Sequence, residues 1–471
     1  MGTATPAPGG LRNTLANYFK DFRVLKRTRS EYWAIQFINL LDCITYFSIL
    51  TIAVVLLSDD FGFSDVKAGY AVTLYGSTTT ICLFFSGMVT DWLGIRRSFL
   101  VAMVGQFLTR GTIVILALSP ALVPQYRGAI VMAAFFLMAP FVAMVQTNFQ
   151  AANKRFTSRT SRGAGFNLWY LFMNIGAAGA GFLIDAIRLG AKLPNVHILT
   201  VALVAHVACF FLALTLIRRE DQLHDPDEVV EEEAAPAKRK NPWRIAGDVL
   251  KESVFWRFLA LASLLIFVRA VFLYLHLLWP KYWIRVIGPD AAIGTLQAIN
   301  PILVIVGLII LIPVLNRYSV YKMLTFGGMI SSLSLFVLAI PSYGQTTYVT
   351  SIVALVVLTV GEVIWSPRLQ EYTAAIAPKG QEGTYLGLSM VPYFLAKTVV
   401  SLLSGHMLTR WVPTDIGDRL RAGTVAFIDS PSMLWLILGV AAFAGPFIAL
   451  LLRGWFTKGA HWGGRDAEAH A

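Results

Sequence analysis

The sequence predicts an all-α integral membrane protein, with about twelve transmembrane helices in two pseudo-symmetric six-helix bundles. Three observations predict it. Of 471 residues, 56% are hydrophobic and only 14% charged, where a soluble domain carries about 25% charged residues. Apolar runs of about 20 residues recur along the whole chain, each long enough to cross hydrocarbon as a helix. One long polar segment divides these runs six and six. The short alternating strands of a membrane β-barrel are not seen in the sequence.

Residues 1–32 form an N-terminal arm, Pro/Gly-rich and then basic through KDFRVLKRTR. The arm lacks the pattern of a cleavable signal, so the first apolar run is expected to act as an uncleaved signal anchor. The first bundle, 33–217, has spans near 33–57, 68–89, 98–119, 128–148, 164–187 and 196–217. Residues 218–253 carry an acidic run, a basic run and three prolines, and read as a solvated linker. The second bundle, 254–453, has spans near 254–279, 291–315, 323–341, 347–374, 383–408 and 431–453. Residues 454–471 form a tail.

The net charge of +12 comes from basic residues in short loops. Those loops alternate with the acidic loop SDDFGFSD, so the positive-inside rule places both termini in the cytoplasm of a cell-membrane protein. The charge therefore implies a bilayer and no nucleic acid. Cys43, Cys82 and Cys209 lie inside spans and suit packing, since they form neither a disulfide framework nor a metal spacing. No cofactor and no metal are expected, and no phosphate loop or loop-borne nucleophile suggests an enzyme.

Glu362 is a costly residue to place in a membrane. It lies in SIVALVVLTVGEVIWSP, where a carboxylate costs roughly 2.5–3.5 kcal/mol on insertion scales. A polar cavity or a cationic partner is expected around it. Arg269 in span 7 and Lys397 in span 11 are the candidate partners, either pairing with Glu362 or holding an anionic group of a substrate. Asp42 in span 1 is a second candidate protonation site, with Tyr46 one turn along on the same face. His206 and His276 read as packing or interfacial residues, and Asp185 and Arg188 as a local pair.

The two halves resemble each other. Asp91 to Arg97 in GMVTDWLGIRR repeats the spacing of Asn316 to Lys322 in LNRYSVYK, at the same place in each six-helix unit. Transporters are often built from such repeats, with the substrate site between them.

Three sets of residues carry a family resemblance. Gly87, Asp91, Gly94, Arg96 and Arg97 resemble the gating-loop signature of the major facilitator superfamily. Gly361, Glu362, Ser366, Pro367, Ala377, Pro378 and Gly387 resemble the tenth-span signature of its proton-coupled oligopeptide transporter family. Asn300 and Pro301, and Tyr170, Asn174 and Gly176, resemble that family's eighth- and fifth-span signatures. The resemblance implies the major facilitator fold. It implies that Glu362, Asn174 and Asn300 hold the amino end of a peptide. Tyr46, Tyr170 and Arg269 are further candidate pocket residues from their places in the spans, and Glu362 and Asp42 are the candidate proton carriers. Two family features are missing. FINLLDCITYF has no Glu-x-x-Glu-Arg in span 1, and FFLMAPFVAMVQTNF has no lysine before Pro140 in span 4. The expected function is symport of protons with peptides or other amine-bearing small solutes. Export of amphipathic cations and solute reception without translocation are the alternatives.

Overall fold

The computed structural model describes residues 22–158, 160–221, 223–224, 253–315, 318–376 and 382–457. Six long helices form the first half: α1 (Ser30–Asp59), α2 (Asp65–Leu93), α3 (Ile95–Leu118), α4 (Arg127–Arg155), α5 (Arg162–Asp185) and α6 (Val196–Leu216). The second half opens with α7 (Ser253–Leu264), α8 (Ile266–Leu277) and α9 (Trp279–Val286), which together make span 7. It continues with α10 (Ile293–Leu315), α11 (Val320–Leu338), α12 (Gln345–Ile376), α13 (Glu382–Trp411), the short α14 (Ile416–Arg421), α15 (Pro431–Leu451) and the short α16 (Arg453–Thr457). Among the described residues, eleven helical stretches are long and apolar enough to cross a membrane. The 30-residue α13 stands where the remaining span is expected.

The packing repeats from half to half. In the first, α1 lies on α5 and α6, α2 on α4, and α3 on α4 and α6. In the second, α8 lies on α13 and α15, α10 on α12, and α11 on α12 and α15. Shifting the span number by six maps one set of contacts onto the other. The halves meet along α5 with α10 and along α2 with α13, and these two seams are also related by that shift. The outward faces are apolar, with Phe85, Leu108, Val204 and Phe211 exposed where lipid tails would lie.

Apolar area gives little specificity between helices in lipid, so small residues set the close approaches. A Cβ on Gly181 or Gly294 would overlap the other's carbonyl, which puts α5 and α10 in backbone contact. Gly405 of α13 lies as tightly against Asp65 and Val66 of α2.

Both contacts lie at the end of the bundle away from the N-terminal arm, and polar groups reinforce them. Asp65 accepts from Lys281 Nζ at 2.8 Å and from Arg285 Nη2 at 2.9 Å. Arg285 also donates to the carbonyl of Val412 at 2.6 Å. The sequence suggests that span 7 stops near residue 279, yet Pro280 starts a further two turns, α9, that carry both cations. Asp185 and Arg188 do not form the expected local pair. Asp185 accepts from the backbone N–H of Gly294 and Thr295, capping α10, and Arg188 donates to the carbonyls of Ala291 and Pro289. Each reaches across to the second half because the start of α10 offers unpaired N–H groups next to the loop carbonyls of Pro289 and Ala291.

At the other end, Gly94 joins α2 to α3 at φ +80° and ψ 163°, a backbone region open mainly to glycine. The Glu220 carboxylate fills the space a Cβ would need and accepts from the N–H groups of Ile95 and Arg96. Arg96 donates to the carbonyl of Leu214 on α6, and Arg155 of α4 meets Asp91 at 3.4 Å. Arg97 is exposed. Gly87 is in ordinary contact with Thr147, so the tight glycine of this motif is Gly94. The linker's first residues fold back here. Arg29 pairs with Asp221 and holds its carboxyl below the usual range, and Glu31 accepts from the N–H of Arg219. Asn316 of the matching motif in the second half lies outside the described residues, as do Ala377 and Pro378.

Candidate functional site

A cavity of about 340 Å³ lies between the halves. Glu362, Asn174, Asn300, Tyr46, Tyr170, Arg269 and Lys397 all line it. These seven residues come from six helices and are separated by up to some 350 positions in sequence.

The Gly361–Glu362 pair shows how the wall is built. A Cβ on Gly361 would run into Ser331 and the carbonyl of Gly327, so this face of α12 must press on α11. One residue on, about 100° around the helix, Glu362 leaves that contact and enters the cavity. Ser331 also accepts from the Trp365 indole at 3.1 Å, which fixes the ring as part of the wall. Asn300 Nδ2 donates to Glu362 Oε2 at 2.8 Å and to Thr359 Oγ1 at 2.9 Å. Pro301 has no N–H to bond the carbonyl of Gln297, one turn earlier on the same wall, which adds a neutral acceptor. Asn174 donates to the carbonyl of Tyr170 at 2.9 Å within α5.

Arg269 lies over the Trp365 ring, 5.8 Å from its centroid, and interacts electrostatically with Glu362. Lys397 stands on the opposite seam, where its stem lies over Gly76 of α2. His276, expected as packing, is on the cavity wall and hydrogen-bonded to Thr51 Oγ1 at 3.2 Å, which links α8 to α1. Aromatic rings complete the lining, among them Phe47, Phe272 and Trp365.

Asp42 is elsewhere. It shares its helix face with Tyr46 only partly: Tyr46 enters the cavity, while Asp42 turns into the first bundle. There it meets Arg110 of α3 and His206 of α6, both about 1% exposed. Arg110 Nη1 donates to His206 Nε2 at 2.9 Å and to Thr45 Oγ1 at 3.1 Å. His206 Nδ1 donates to the carbonyl of Ala202 at 2.5 Å, which leaves Nε2 to accept from Arg110. Asp42 Oδ1 lies 3.9 Å from His206 Nε2 and interacts with Arg110 through charge. Sequence reasoning missed Arg110, although a charge in the middle of FLTRGTIV is the same signal that singled out Glu362.

The chemistry available is recognition. One carboxylate, neutral acceptors and aromatic faces in a low-dielectric cavity suit an ammonium. Among the described residues no group of three or more His, Cys, Asp or Glu could hold a metal ion.

Solved structures share this architecture. A proton-dependent oligopeptide transporter superposes with a TM-score of 0.68 at 16% identity, over 91% of this chain and 98% of that one. A transporter of the same family in complex with 5-aminolevulinic acid gives 0.68 at 13% identity, over 91% and 96%. A bacterial homologue of the human drug peptide transporters gives 0.66 at 16% identity, over 91% and 99%. No curated protein sequence matches the chain. The family model described as Major Facilitator Superfamily matches residues 35–401. That match spans most of both halves and both seams between them, and the chain is an integral membrane protein of the major facilitator superfamily.

Proposed function

We propose that the protein is a secondary transporter that couples protons to the uptake of amine-bearing small solutes, peptides among them, by alternating access. The observation that carries this reading is Glu362, held by Asn300 on the wall of a cavity between two repeated halves. Its carboxylate can pair with a solute ammonium, and a proton carried at a second carboxylate in the same movement gives symport. The likeness in fold to proton-dependent oligopeptide transporters supports it, as does the solved complex of one such transporter with an amine-bearing acid. Asp42, between Arg110 and His206, is the proposed second proton site.

With basic loops inside, the end clasped by Asp65, Lys281 and Arg285 faces outward and both termini are cytoplasmic. Movement would open that clasp while the far ends of the seams close, with the solute site near the pivot.

A second reading, export of amphipathic cations, is favoured by the aromatic lining. The two separate in proteoliposomes holding the full chain. Counterflow of dialanine under an inward proton gradient is expected, with no efflux of a lipophilic cation. Glu362→Gln should abolish that uptake while leaving the protein folded. Wild-type uptake by this variant overturns the assignment.

A further inference from the structure

Every charged side chain on the cavity comes from the second half, among the described residues: Glu362 from α12, Arg269 from α8 and Lys397 from α13. The first half supplies only uncharged groups, including Tyr46, Thr51, Tyr170 and Asn174. Glu362 and Arg269 act on each other, so they offset one another's charge. Lys397 is left over. It sits near the middle of α13, and among the described residues it has no hydrogen bond and no ion pair. An ammonium held at mid-membrane without an anion is costly, and such positions mark ligand pathways.

The surroundings of Lys397 are specific. A Cβ on Gly76 would come within 2.9 Å of Lys397 Cε, so the glycine makes the groove in which the lysine stem lies. Next along the seam, Ser77 and Thr398 are hydrogen-bonded at 2.8 Å, which fixes the register of α2 against α13. On its other side Lys397 borders a crevice of about 20 Å³, with Tyr75, Thr79 and Ser401. That space suits one water and excludes a carboxylate, so an anion can reach the ammonium only from the main cavity.

We propose that Lys397 is the anion-binding residue of the cavity and holds the carboxylate of the transported solute. The substrate is then a small amino acid or peptide-like molecule with a free carboxylate. Its amine goes to the Glu362 side and its middle lies against the uncharged wall of the first half. The inference rests on reading this cavity as the solute site, and the probes below separate the two.

N-acetyl-dialanine has the carboxylate without the amine, and its C-terminal amide has neither. Binding of each to the purified full chain is measured by calorimetry. N-acetyl-dialanine is expected to bind wild-type protein about tenfold or more tighter than its amide, the worth of one charge-assisted hydrogen bond. Lys397→Gln should erase that difference, and Lys397→Arg should restore part of it, which shows that the fold survives. Gly76→Ala keeps the charge but displaces the stem, and should weaken N-acetyl-dialanine alone. Failure of the amine assignment shows separately, as wild-type uptake of dialanine by Glu362→Gln. Equal binding of acid and amide to the wild type, no binding of either, or a wild-type ratio in Lys397→Gln each overturn the proposal.

Discussion

Asn300 commits both of its amide hydrogens, one to Glu362 Oε2 and one to Thr359 Oγ1. The Thr359 hydroxyl gives its own proton to the carbonyl of Leu355 at 2.7 Å, so it can only accept from Asn300. Both partners being acceptors, the nitrogen must face them and Oδ1 is left for a solute. One asparagine thus orients the carboxylate and adds a neutral acceptor beside it.

Asn300→Ala is therefore expected to weaken binding of a free-amine solute by about tenfold, since it removes one acceptor and frees the Glu362 rotamer. Dialanine counterflow against concentration measures it. An unchanged half-saturating concentration would mean that Glu362 is held by other groups.

The clasp at the end away from the arm depends on Asp65, which receives both Lys281 and Arg285. In Asp65→Asn the closed seam loses two ion pairs across the halves, and the population open at that end should rise by about tenfold. With the three native cysteines replaced, Leu50→Cys on the cavity wall reports this through its reaction with an impermeant maleimide added outside. A labelling rate unmoved by Asp65→Asn counts against the clasp.

Arg110, His206 and Asp42 form a buried set in which Asp42 Oδ1, Arg110 Nε and Gln106 Nε2 have no hydrogen-bond partner among the described residues. Removing the guanidinium leaves a carboxylate alone, so Arg110→Ala should cost about 3–5 kcal/mol in stability. Adding Asp42→Asn should recover part of that loss. Thermal unfolding in detergent of both single variants and the double gives the coupling, and strict additivity would show that the two charges do not interact.

Gly94 combines a positive φ with a carboxylate where a Cβ would go. Gly94→Ala is expected to destabilise by about 1–3 kcal/mol and to slow transport, because Glu220 loses its place on α3. Glu220→Gln should slow transport with a smaller stability loss. If Gly94→Ala unfolds at the wild-type temperature, the motif tolerates a side chain there.

Much of the architecture was legible before any coordinates. The apolar runs are long and uninterrupted because a helix in lipid must be apolar around most of its surface, and this writes the spans directly into composition. The central polar segment and the repeated loop motif indicate two halves. Glu362, Arg269 and Lys397 were visible as charges where charge is expensive, and the cavity brings them together with Asn174, Asn300, Tyr46 and Tyr170. Arg110 carried the same signal and was passed over. The extension of span 7 was hidden because WPKYWIRV is too polar for a hydropathy reading, and its helix depends on Pro280 at the start and on Asp65 as partner.

The sequence by itself determined that this is a two-bundle helical membrane protein with ionisable groups at mid-membrane. Local apolar length and local charge are enough for that. Only the tertiary structure decided which charges meet. It turned Asp42 toward Arg110 and away from the cavity, gave Glu362 to Asn300, and left Lys397 in the groove made by Gly76. Those choices depend on where glycines let helices touch across the seams, a contact between residues hundreds of positions apart that no local pattern records.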